Sequence, residues 1–577
     1  MTTSPTTFSF DRLPAFQPRR FVPQDADLTR ADQITALYDK LLARTVSSKN
    51  ELAEWLLDRS ELEAAVDQAG DIIYIKMTCQ TDNKEYADAY KAFIEDVAPA
   101  VKPLDDRLNQ KYLELREQFP PDPIRFKVYD RELIIERELF REENIPLATE
   151  INLLSQEYQT VCGAMTVEFQ GRTHTLPEMA KYLQEPDRSL RESAWRASAE
   201  RRLRERDKLD GLFENMLKLR NTVAKNAGFS SFTDYQFKAY HRFDYTPLDC
   251  RKYHEAIEKL VVPVLAKIRA RRKKEMKLDA LRPWDQEVDP AGRPALKPFS
   301  SIKELIDGCR SVFKAVHPDF GGGFEAMAAD GLLDLASRPG KAPGGYQNTL
   351  DEARRPFIFM NSVGLDSDVM TLLHEGGHAF HALACAGDPL VDYRHAPMEF
   401  SEVASMSMEL LGSPHLSVFY NDEEQKRSWQ HLLEGIVWVL AWVATVDAFQ
   451  QWIYAHPGHT REERVREWVA IHDRFGGAHL DWSGLDDIKA SLWHRQLHIF
   501  EVPFYYIEYG IAQLGALQIW LNSLRDKTKA VADYRKSLTL GGSRPLPELF
   551  AAAGLKFDFS ERTIAPLVAA VEKELGL

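Results

Sequence analysis

Thr371-Leu372-Leu373-His374-Glu375-Gly376-Gly377-His378-Ala379-Phe380 is the stretch on which the reading of this chain turns. It holds an H-E-x-x-H pattern. Residues four apart share one face of a helix, so both imidazoles can meet one zinc ion, with Glu375 beside it as a base for water. With 16 histidines in 577 residues, composition alone yields the pattern roughly 0.03 times in such a chain. A helix with two solvated histidines is the bland alternative, and the flanks speak against it. Val369, Met370, Leu372, Leu373, Ala379 and Phe380 are apolar, which predicts a buried helix whose polar groups need partners. Gly376 and Gly377 each cost a helix about 1 kcal/mol relative to alanine. Close approach of another backbone is the simplest reason for them. His381 is seven residues from His374, too far along the axis to share its ion.

A catalytic zinc usually takes three protein ligands and leaves a position for water. Downstream, residues 398–409 are helical in pattern and offer Glu399, Glu402 and Glu409 among small or apolar neighbours. Periodicity does not choose between Glu399 and Glu402. Upstream, Gly344-Gly345-Tyr346-Gln347-Asn348 and Pro356-Phe357-Ile358-Phe359-Met360-Asn361 read as two short strands. The second opens on a proline, where a strand tolerates one. An unpaired strand edge beside a hydrolytic centre can hold an extended peptide by main-chain hydrogen bonds, although a purely structural hairpin fits the same residues.

The remainder of the chain is mostly helical by pattern, as in residues 28–63 and 82–119, where apolar residues recur at three and four. Met165 to Thr175 alternates like a hairpin with Gly171 at its turn. Leu176-Pro177 opens a long charged helical region reaching about Gly228. Its arginines, Arg188 and Arg191 among them, alternate with acids as on an exposed face. Pro283, Pro290, Pro294 and Pro298 mark an irregular connection. The length calls for at least two lobes, and the boundary is placed near residue 165. That gives a helical lobe over 1–165 and a catalytic region over 166–577, with exchange of segments between lobes allowed.

A net charge of -14 argues against nucleic acid or an anionic membrane as partner. The basic run Arg269, Arg271, Arg272, Lys273, Lys274 reads as a solvated helix face. Five scattered cysteines without a C-x-x-C pair suggest neither a disulfide framework nor a thiolate metal site. Met1 to Phe21 carries no apolar stretch of the signal-peptide kind. Ile436 to Val446 is too short to cross a bilayer and reads as a buried helix. The cytoplasm is the expected compartment.

With these segments together, the chain resembles the thimet oligopeptidase and oligoendopeptidase F family of zinc peptidases, and most closely its oligoendopeptidase F branch. The likeness covers roughly Met165 to the C-terminus and is carried by residues 374–381 and by Phe400-Ser401-Glu402-Val403-Ala404-Ser405. Gly376 and Ala404 depart from the family's common residues, a bulky one and a proline, and neither is a ligand. The resemblance implies a mostly α-helical, two-lobed zincin-type peptidase with a small β-sheet beside the metal. It also implies a deep channel that admits short unstructured peptides. It assigns one zinc per chain to His374, His378 and Glu402, and the base to Glu375; Glu409 falls at a position near the ligand helix. In the segment His498-Ile499-Phe500-Glu501-Val502-Pro503-Phe504-Tyr505-Tyr506-Ile507-Glu508-Tyr509-Gly510 it points to His498 and Tyr509, then Tyr506 and least Tyr505, as groups facing the scissile carbonyl. Without the resemblance these tyrosines read as core aromatics. The implied activity is cleavage of internal bonds in short peptides. A carboxypeptidase or dipeptidyl carboxypeptidase of the same fold, or a peptide-binding protein without catalysis, are the rivals.

Overall fold

The computed structural model describes Phe10 and residues 13–338, 340–342 and 344–577. The fold is 69% helix and 4% strand, as the apolar spacing predicts. Residues 28–63 are not one helix, however. Helix Ala31–Ala43 ends, and a second runs Lys49–Cys79 after Ser48, whose side chain accepts from the Glu51 N–H. A serine N-cap of this kind restarts a helix because it satisfies an otherwise orphaned donor.

Two small sheets break the helical run. Strands β1 (Thr166–Phe169) and β2 (Arg172–Thr175) form an antiparallel hairpin. Its two turn residues, Gln170 and Gly171, both have positive φ, 49° and 74°, which matches the twist a two-residue hairpin requires. The second sheet has the order β3-β5-β4. β4 (Tyr346–Leu350) runs antiparallel to β5 (Arg355–Ser362) with Gln347 opposite Ile358. β3 (Leu333–Ala336) is parallel to β5 and is an addition to the two strands expected here. Pro356 stands at the second residue of β5 rather than the first.

The chain divides into two compact units, each assembled from separated segments. The first comprises residues 1–137, 296–428 and 515–557. An apolar cluster within it gathers Trp55, Leu108, Tyr112, Tyr129 and Tyr393. The second comprises residues 138–295, 429–514 and 558–577, with a smaller cluster around Trp284, Leu480 and Trp482. Residues 436–446 lie within helix Asp422–Ala455, whose most apolar 18-residue window is 72% buried.

Two charge readings need correction. The basic run on helix Val262–Glu275 is not simply a solvated face. Arg269 is buried and donates to the Gly476 carbonyl, Arg271 pairs with Glu434 at 2.7 Å, and Arg272 donates to the Asp285 carbonyl at 2.8 Å. Only Lys273 and Lys274 at its end are exposed. Likewise Arg191, expected outside, is buried against Asp285 at 3.1 Å, which Arg188 also reaches at 2.8 Å. A guanidinium presents several donors in a fixed fork and so can cap carbonyls and acids inside a fold.

Candidate metal centre

The H-E-x-x-H residues stand on helix Asp366–Cys385. Its start is fixed by Asp368, whose Oδ2 accepts the N–H groups of Val363, Gly364 and Leu365 at 2.8, 2.8 and 2.9 Å. An acid there also suits the positive end of the helix dipole. β5 leads into this helix, and β4 lies at the outer side of β5, so sheet and helix form one local frame.

Helix Met398–Gly412 packs against the first one at very close range. A Cβ on Gly377 would sit 2.6 Å from the Ser405 Cα and 2.7 Å from the Ala404 carbonyl oxygen. This is the backbone approach that the glycine pair predicts. Gly376 has a different reason: a Cβ there would meet the ring of Phe313 at 2.4 Å. Gly377→Ala therefore has to push the second helix away, and overpacking of this kind costs about 1–3 kcal/mol. We expect Gly377→Ala to lower the melting temperature and weaken metal retention. Gly322→Ala, on a helix with nothing within 4 Å of the new Cβ, should do neither. Equal behaviour of the two variants in thermal melts and metal analysis would contradict this packing argument.

The close approach brings three candidate ligands together. One ligand atom each from His374, His378 and Glu402 lie within 4.8 Å of one another. The Glu402 Oε2 is 3.3 Å from His374 Nε2 and 3.7 Å from His378 Nε2, and it accepts from the Ser405 hydroxyl at 3.0 Å. Behind them, His374 Nδ1 is 2.7 Å from Glu409 Oε1. A carboxylate only accepts, so the proton of the neutral ring belongs on Nδ1, while Nε2 faces the Glu402 oxygen. At 3.3 Å from that oxygen, Nε2 carries either a second proton or a metal ion, and the two flanking carboxylates favour both. Two imidazole nitrogens with one carboxylate are a donor set suited to zinc. The residues present thus fit the metal that the motif implies.

Electrostatics distinguish the groups. Burial pushes the Glu375 carboxyl up to about 7, against the opposing pull of His374, and the Gln347 backbone N–H on β4 donates to it. Burial lowers His378 to about 4. Burial acts to raise Glu402, but His378, His374 and the Ser405 hydroxyl outweigh it and hold the carboxyl at about 2. His374 is raised despite burial, because Glu402 and Glu409 both act on it.

Other candidates fall elsewhere. Glu399 is buried on the same helix as Glu402 but is not among the three clustered ligands. His381 is buried with its ring 6.0 Å from that of Phe400 and is also outside the cluster. His498, Tyr505, Tyr506 and Tyr509 form a cluster of their own in the second unit. The His498 ring lies 4.8 Å from Tyr506 and 5.9 Å from both Tyr505 and Tyr509, centroid to centroid. Burial lowers His498 to about 4 and raises Tyr506 to about 12. Two groups escape a reading of the sequence: Gln347, whose N–H is a backbone group, and Gln496, whose amide donates to His498 Nδ1 at 2.8 Å.

A helix carrying two histidines and an acid, crossed by a second helix carrying a carboxylate, is the arrangement of a metallopeptidase. Comparison with known proteins agrees. The model of peptidase family M3 matches residues 181–567, and that of the M3 N-terminal domain matches residues 24–119. The chain belongs to peptidase family M3, a family of metallopeptidases. It is 23% identical over 454 residues to an oligoendopeptidase F homolog of Borreliella burgdorferi, covering 73% of each chain. Among solved structures it is similar to PZ peptidase A with an inhibitor, at a TM-score of 0.87 and 26% identity over 96% of this chain and 99% of that one. A protein assigned as an oligoendopeptidase F gives the same TM-score and identity over 97% and 99%.

Proposed function

We propose that this protein is a zinc-dependent oligoendopeptidase that hydrolyses internal bonds of short, unstructured peptides, with one zinc per chain held by His374, His378 and Glu402. The observation that carries the reading is the convergence of two imidazole nitrogens and a carboxylate oxygen beside a buried Glu375. Names of similar proteins, an oligoendopeptidase F homolog among them, support the substrate class.

Zinc, when bound, supplies Lewis acidity and makes water a good nucleophile near neutral pH. The protein's own groups do the rest. Glu409 holds the proton on His374 Nδ1 and so keeps Nε2 free for the metal. Glu375 takes a proton from the attacking water on its carboxylate and returns it to the leaving amine nitrogen. The Gln347 N–H steadies that carboxylate, and the outer edge of β4 receives an extended peptide through its main chain. His498 and Tyr509, with Tyr506 as the next candidate, donate to the oxygen that gains charge in the transition state.

A quenched peptide of about 5 to 20 residues, short enough for a cleft that buries its substrate, tests this when blocked at both ends. We expect turnover that a chelator abolishes and stoichiometric zinc restores. A strict need for a free C-terminal carboxylate would favour the carboxypeptidase rival. Binding of the peptide to the zinc-loaded protein with no cleavage would leave only the non-catalytic one.

A further inference from the structure

Gln496 stands between a 3-10 turn, Leu492–Arg495, and the short helix Leu497–Glu501. Its side chain bridges two rings within the second unit. The Trp442 indole Nε1–H donates to Gln496 Oε1 at 3.0 Å, and Gln496 Nε2 lies 2.8 Å from His498 Nδ1. An indole nitrogen can only donate, so it selects the oxygen end of the amide. The amide nitrogen must then face His498, and an amide NH₂ can only donate. His498 Nδ1 is thereby the acceptor, and in the neutral ring the proton sits on Nε2. We propose that Gln496, itself oriented by Trp442, is a positioning residue that holds His498 as its Nε2–H tautomer.

Several features keep this relay in place. The Trp442 indole is packed by the Trp438 ring, stacked at 5.7 Å and 10°, and by the Arg495 guanidinium at 5.1 Å. Burial lowers His498 to about 4, so at neutral pH the ring is uncharged and the choice of tautomer decides what Nε2 offers. With Nδ1 engaged, Nε2–H is a donor. An imidazole without that lock presents a lone pair part of the time and cannot then donate to a developing oxyanion. The consequence for turnover rests on the role of His498 proposed above; the tautomer itself does not.

The test is a long-range proton–nitrogen correlation spectrum of the zinc-loaded, full-length enzyme with labelled histidine, His498 being assigned by its loss in His498→Gln. At pH 7 the parent should show Nδ1 unprotonated and Nε2 protonated, a result that needs no change at position 496. In Gln496→Glu, a carboxylate that only accepts should draw the proton to Nδ1. Turnover should fall by about 10²-fold, the lower range for loss of one oxyanion donor, with KM within a few-fold and zinc retained. Gln496→Leu should mix the tautomers and lose less. A parent protonated at Nδ1, or an unchanged tautomer in Gln496→Glu, would overturn the proposal. So would a switched tautomer with intact kcat, which removes the positioning role. His498→Gln at parental speed would instead count against the proposed role of His498 while the spectrum still supports the lock.

Discussion

Glu375→Gln should keep a full equivalent of zinc yet hydrolyse the doubly blocked peptide about 10²–10⁴-fold more slowly than the parent, the range that general acid–base catalysis supplies. The side chain is isosteric, and its remaining carbonyl oxygen can still accept the Gln347 N–H that holds the carboxylate in place. Packing and metal ligands are therefore unchanged. What disappears is basicity, because an amide does not accept the proton of the attacking water or return it to the leaving nitrogen. The loss should fall on kcat, with KM altered only a few-fold, since the base acts in the transition state rather than in binding. Metal analysis beside steady-state kinetics checks both halves. A Glu375→Gln enzyme working within a few-fold of the parent rate would remove Glu375 from the chemistry. One without zinc would show that the acid supports the metal site.

How much of this was legible in the sequence follows from range. The motif helix, the ligand helix and the hairpin at β1 and β2 are written in local patterns of four to fifteen residues, and these emerge as read. Gly377 is the instructive case. A helix-weakening residue in an apolar segment implies a close neighbour, and the neighbour is the backbone of Ala404 and Ser405 on the helix that carries Glu402. Gly376 obeys the same logic with a different partner, the Phe313 ring, which sequence spacing could not name. Long-range pairings were beyond reach. Arg191 and Arg269 look like solvated charges because their partners, Asp285 and the Gly476 carbonyl, are 94 and 207 residues away. β3 was missed because a four-residue strand, Leu333–Ala336, has too little alternation to register until it pairs with β5. The choice between Glu399 and Glu402 needed the resemblance, since one helical pattern carries both.

That choice sets up the second large effect. Glu402→Ala should lose its zinc on dialysis against buffer and with it all measurable turnover, whereas Glu399→Gln should keep both. The Glu402 oxygen is the group that faces both imidazole nitrogens, at 3.3 and 3.7 Å, and as the proposed ligand it would supply the negative charge that balances a divalent ion. Alanine leaves the two imidazole nitrogens without that charge. Outer partners of a metal centre already cost about 10–100-fold in affinity when removed, so a direct ligand should exceed that range. Glu409→Gln makes a useful intermediate: it keeps a hydrogen-bonding group beside His374 Nδ1 but removes the charge, and should weaken zinc within that roughly 10–100-fold range. The order of affinity expected is parent and Glu399→Gln together, then Glu409→Gln, then Glu402→Ala, read by competition with a chromogenic chelator. Since Glu399 and Glu402 share one buried helix, a merely structural loss would strike both variants alike in a thermal melt of the metal-free proteins. Full zinc in Glu402→Ala together with its loss in Glu399→Gln would move the third ligand to Glu399 and leave the two histidines where they are.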